Sequence, residues 1–144
     1  MGSRDGFGRP SIESLGYDRW QGRAVRLSMV EGADARLAVG HRKKQRMIKN
    51  LPVAEVVRLA ELVTYQPEQV VSRTLAQDSG MSLTLFAFPA GEGLASHTTS
   101  ADALAYVLDG EAVVEIDGDS SVVGMGEAIV MPANQPHAVT ARRS

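Results

Sequence analysis

An all-β sandwich or barrel is the fold class this sequence predicts, and three observations carry it. Seven short apolar or alternating runs crowd into residues 69–140. Residues of turn chemistry separate them, Asp109-Gly110 and Asp117-Gly118 among them, and Asp-Gly between such runs is a strong short-range hairpin signal. No intervening segment is long enough for a crossover helix, which argues against a parallel sheet. A length of 144 residues suits one domain.

The chain divides into two unequal parts. Residues 1–46 carry 10 basic and 5 acidic side chains, residues 47–144 carry 5 and 12, and the whole comes to −2. Ile, Leu, Val and Phe number 8 of the first 46 residues and 27 of the remaining 98. The first part therefore falls below the roughly 20% at which a segment buries enough surface to offset its ordering entropy. It holds seven of the 14 glycines and reads as a poorly ordered basic extension, an upstream addition without a role in the fold. Inside it, Val25, Leu27 and Met29 alternate with Arg26 and Ser28, as an edge strand would. Residues 31–34 then turn the chain toward Leu37 and Val39. The run Arg42-Lys43-Lys44-Gln45-Arg46 reads as a solvated linker, since a short basic run is a weak nucleic-acid signal. Tyr17 and Trp20 read as local packing, and His41 has no partner pattern.

From Met47 the texture changes. Pro52 opens a candidate helix with Val53, Val56, Val57, Ala60 and Val63 on one face, although the β-branched content suits a strand nearly as well. The strands expected next are 69–76, 81–88, 103–108, 111–116, 121–123, 127–131 and 137–140. Tyr106 belongs to a strand, in the core or on a dimer face. Glu115, Asp117 and Asp119 read as a hairpin turn rather than a calcium loop.

Composition limits function. Without cysteine there is no disulfide, thiolate nucleophile or zinc–thiolate site. The net charge of −2 argues against nucleic acid as the main partner. No apolar run approaches the roughly 18 residues of a membrane span, and no signal-peptide core opens the chain. A cytoplasmic protein with no membrane partner is the expectation. His97 and His137 each stand beside a turn cluster, 40 residues apart. Neutral imidazoles brought together across a barrel are ligands for zinc, iron or nickel.

Residues 91–110, from Gly91 through His97 and Thr99 to Gly110, resemble the first motif of the cupins. That motif runs glycine, five residues, histidine, one residue, histidine, three or four residues, glutamate, six residues, glycine. Gly126, Pro132, Asn134 and His137 resemble the second, which carries another histidine. The likeness extends from about residue 50 to residue 141, and phrases such as Met131-Pro132-Ala133-Asn134-Gln135-Pro136-His137 are similar to those of small single-domain cupins. It implies a double-stranded β-helix, the jelly-roll barrel, over residues 47–144. It also implies another apolar strand after the second motif, where this chain reads Thr140-Ala141-Arg142-Arg143-Ser144. The barrel is therefore expected to lack its last strand, the gap being filled by residues 25–30 or by a homodimer partner.

Two of the four metal-ligand positions implied by the resemblance are kept, His97 and His137; the other two are Thr99 and Ala103. Asp102 lies one residue from the glutamate position, and a bulge at Ser100-Ala101 would re-aim it toward the site. His97, Thr99 and His137 are the expected ligand-binding residues. His97 and His137, with Asp102 as third candidate, are the expected holders of a divalent transition metal (Zn, Fe, Ni or Mn), and absence of any metal is an equal expectation. The resulting function is a small-molecule or weakly held metal in the barrel, with no reaction assigned. The alternatives are a metal-dependent dioxygenase or isomerase, and a non-catalytic regulatory or structural dimer. His137 as a lone general base lacks an identifiable Asp or Tyr partner.

Overall fold

The computed structural model describes residues 25–32 and 47–142. The expectations for Tyr17, Trp20, Leu37, Val39, His41 and the basic run 42–46 lie outside the described residues. Among the described residues nine strands follow one another: β1 Val25–Gly32, β2 Val71–Gln77, β3 Met81–Phe88, β4 Gly93–His97, β5 Ala103–Asp109, β6 Glu111–Ile116, β7 Asp119–Gly124, β8 Ala128–Met131 and β9 His137–Ala141. They build two antiparallel sheets, one in the order β2-β3-β1-β5-β8 and the other β4-β9-β6-β7, which is the jelly roll. No helix among the described residues is long and apolar enough to cross a membrane.

Local chemistry explains the hairpins. Strands β6 and β7 pair from Glu111↔Gly124 to Ile116↔Asp119, leaving a two-residue loop. Asp117 and Gly118 both adopt positive φ there, 50° and 88°. A primed turn requires that of both positions, and Asp-Gly supplies it. Alternating side chains then fill the barrel. Val25, Leu27, Met29, Phe88, Ala103, Ala105, Val107, Val114, Met131 and Val139 form one buried cluster between the sheets.

The strand expected at an edge occupies the middle of its sheet. Residues 25–32 pair with β3 along their whole length, Val25↔Phe88 to Gly32↔Met81, and with β5 from Arg26↔Asp109 to Glu31↔Ala103. The gap is thus filled from within the chain, and a division at residue 46 would place a central strand of the barrel outside it. Glu31 belongs to this strand and not to the turn expected at 31–34.

The helix expected from Pro52 is not there. Only a 3-10 turn, Leu59–Leu62, forms in that stretch. Ala54 stands at φ 59°, a left-handed conformation that interrupts a helix, and Val53 and Val56 are exposed. The stretch instead lies over the outer face of β2 and β3, where Val63, Leu51, Leu59 and Leu62 pack against Leu75, Leu85 and Ala87.

Tyr65 ends this cover and meets β1. The Arg26 guanidinium lies 4.5 Å from the Tyr65 ring centroid, Arg26 pairs with Asp109 at 3.6 Å, and the Tyr65 hydroxyl donates to Asp109 Oδ2 at 3.5 Å. Burial pushes the Tyr65 hydroxyl pKa well above its ordinary value, and the Asp109 charge adds to that. The raised folded-state pKa makes this contribution to stability complete below about pH 10 and lost as pH rises beyond it. Urea unfolding across the alkaline range is expected to show a shallower decline for Tyr65→Phe than for the unsubstituted chain.

Candidate functional site

Two five-residue connections lie at one end of the barrel. Residues 98–102 lead from His97 to Ala103, and residues 132–136 lead from Met131 to His137. The Asn134 N–H donates to the Thr99 carbonyl at 2.8 Å and the Ala133 N–H to Asp102 Oδ1 at 2.8 Å, so the connections brace each other. Both histidines are thereby fixed at the barrel mouth.

A bulge in β4 brings them face to face. Leu94 pairs with Val139 and His97 with His137, three steps along β4 against two along β9. The extra residue restores His97 to the face of Leu94, which packs on the barrel core. The bulge that aims His97 thus sits at Ala95-Ser96, a different place from the Ser100-Ala101 bulge expected to re-aim Asp102. Gly93 makes the approach possible, because a Cβ there would overlap the backbone of Val139 and Thr140.

The imidazole centroids lie 4.5 Å apart with planes at 62°. Each Nδ1 is 3.0 Å from the carbonyl oxygen two residues earlier, Ala95 for His97 and Gln135 for His137. A carbonyl only accepts, so each Nδ1 carries a proton, and in the neutral imidazole Nε2 keeps its lone pair. His97 is exposed at the mouth, whereas His137 is 1% exposed. Its Nε2 is buried with no hydrogen-bond partner among the described residues. Two aimed acceptors, one of them desolvated, constitute the chemistry of this site.

The remaining expected residues serve the walls. The Thr99 hydroxyl donates to the Ala101 carbonyl at 2.8 Å within its own loop. Asp102 is engaged by the Ala133 amide and is not re-aimed to the imidazoles as a third ligand. Ala103 lies in the core at 1% exposure and offers no ligand atom. Among the described residues no three His, Cys, Asp or Glu side chains come together as a metal-holding group. A resident metal centre generally takes three or four protein ligands, and two imidazoles do not fit that requirement.

Sequence reasoning missed Glu31. Strand β1 buries Val25, Leu27 and Met29 toward the core, and its register runs unbroken from Met29 to Glu31 against both neighbours. Alternation puts Glu31 on the same inner face. The apolar period of 25, 27 and 29, carried one step further, is the signal that would have found it.

A family model described as a cupin domain matches residues 84–144. Among solved structures, a conserved protein of unknown function from Streptococcus pyogenes is similar at 34% identity and TM-score 0.65, covering 69% of this chain and 87% of that one. A cupin superfamily protein from Desulfitobacterium hafniense is similar at 32% identity and TM-score 0.63, covering 66% and 87%. A cupin 2 conserved barrel domain protein from Leptotrichia buccalis shares 43% identity at TM-score 0.58, over 60% of this chain and 41% of that one. No functionally curated protein matches the chain.

Proposed function

The chain belongs to the cupin superfamily, and on that premise we propose that it binds a small, partly apolar molecule at the mouth of its barrel without a resident metal. The ligand's hydroxyl or N–H group donates to His137 Nε2, and His97 Nε2 takes a second donor. The observation that carries this reading is the buried, unpartnered Nε2 of His137. A buried acceptor left unsatisfied costs about 1–3 kcal/mol, and a donor on the ligand offsets that loss. Ile116, the register partner of His137, supplies apolar wall beside the imidazoles, and Met131 ends β8 on the facing sheet.

No metal-borne step is derived, because Thr99 and Ala103 stand where the family motif has histidine and glutamate. This also disfavours the dioxygenase or isomerase alternative. The test has two readouts on protein purified without chelating resin. Elemental analysis is expected to find no stoichiometric transition metal. Benzyl alcohol, a neutral apolar donor, is expected to shift the side-chain nitrogen resonance of His137 saturably. One equivalent of bound metal overturns the metal-free reading, and an unresponsive His137 overturns the ligand site.

A further inference from the structure

Two rows of side chains face each other across the mouth. On the five-stranded sheet, Ser82, Glu31, Ala103 and Met131 are successive register partners across β3, β1, β5 and β8. On the four-stranded sheet, His97, His137 and Ile116 are successive partners across β4, β9 and β6. The connections 98–102 and 132–136 join the ends of these two rows, so both lie at the same end of the barrel. Stacked sheets stand about 10 Å apart, a gap spanned by one side chain from each face with a small group between them.

From this arrangement we infer that Glu31, carried in by the N-terminal strand, opposes the two histidines and makes the mouth a site for a primary ammonium group. The inference rests on the ligand-binding reading above and names the class of ligand. Ala103, standing where the family motif has its glutamate, is the β5 register partner of Glu31. The carboxylate missing from one strand is present on the next.

The donor and acceptor inventory selects the ligand. An ionised carboxylate only accepts, and each imidazole in its neutral form presents an Nε2 lone pair, its Nδ1 proton being donated to Ala95 or Gln135. Three acceptors on facing rows, with one negative charge among them, call for a positive group rich in donors. A primary ammonium has three N–H bonds and no acceptor. Among the described residues no lysine or arginine is ion-paired with Glu31. Among the described residues His97, His137 and Glu31 do not come together as a metal-holding group. The apolar remainder of the amine lies against Ile116 and Met131.

The experiment compares three isosteres on the full chain at about pH 8, above the usual histidine range: benzylammonium, benzyl alcohol and benzoate. Benzylammonium is expected to bind about tenfold or more tighter than benzyl alcohol, as charge-assisted hydrogen bonds allow, and benzoate weakest. Glu31→Gln, which keeps the shape and removes the charge, is expected to bring benzylammonium affinity down to that of benzyl alcohol, so that the ratio of the two falls to about one. Glu31→Asp is expected to retain part of the preference. Amide exchange along β1 checks that each variant keeps the strand. Equal affinity for amine and alcohol in the unsubstituted chain, or a preference that survives Glu31→Gln, overturns the ammonium assignment and leaves the ligand site standing. If no probe moves His137, both fall.

Discussion

Removing residues 1–32 is expected to abolish cooperative folding, although the second cupin motif and eight of the nine described strands remain. Strand β1 lies between β3 and β5 and supplies Val25, Leu27 and Met29 to the core at 0%, 0% and 2% exposure. Full burial of a side chain of this size is worth about 1.5–3 kcal/mol, so the three together approach the 5–15 kcal/mol of a whole domain's stability. The deletion also strips two neighbouring strands of their hydrogen-bonding partner and leaves open, aggregation-prone edges. Urea unfolding followed by circular dichroism is the measurement, and a truncated chain with an unchanged transition would refute this account of β1. In the full chain, Leu27→Ala is the milder counterpart, expected to lower stability by about 2–5 kcal/mol through the cavity it leaves. Adding a peptide of residues 25–32 to the truncated chain is expected to restore part of the transition, since the slot it fills is defined on both sides.

The same strand shows where sequence reading stops. Period-two alternation identified 25–29 as a strand, but its partners lie more than 50 residues downstream, and nothing local says whether a strand is central or at an edge. Averaging composition over 1–46 diluted an eight-residue strand in glycine and arginine. The strands from β5 onward were legible because each is bounded by turn chemistry that acts locally, as at Asp117-Gly118. Strand β4 was not, since its bulge breaks the period and leaves Ala95, Ser96 and His97 exposed. Over 52–63 helical spacing misled: Val53 and Val56 share a notional face with Val63, yet only Val63 is buried. For the site, the motif residues named His97 and His137, and their pairing followed from the fold. The roles of Thr99 and Asp102 as loop braces depend on carbonyl and amide positions that no residue pattern encodes. Glu31 was hidden by a plausible turn reading of residues 31–34.

Replacing His137 with leucine is expected to eliminate ligand binding while raising stability by about 1 kcal/mol. The sign follows from two opposing terms. The substitution removes a buried acceptor without a partner, a burden of about 1–3 kcal/mol, and forfeits one neutral hydrogen bond worth about 0.5–1.5 kcal/mol. The forfeited bond is that from Nδ1 to the Gln135 carbonyl. Gln135 is exposed, so its carbonyl turns to water, and leucine fills much of the vacated space beside Ile116. Alanine at the same position removes the same unsatisfied atom but leaves a void, and is expected to be less stable than both leucine and histidine. Urea midpoints of the three proteins therefore fall in the order leucine, histidine, alanine, whereas benzyl alcohol affinity is lost in both variants. A leucine variant less stable than the unsubstituted chain would mean that Nε2 is already satisfied in the folded protein, and the premise of the ligand site would fail. A residue whose removal stabilises the fold is one the fold itself does not require, and a buried unpartnered imidazole nitrogen at the end of the barrel is intelligible as a group held ready for a donor from outside.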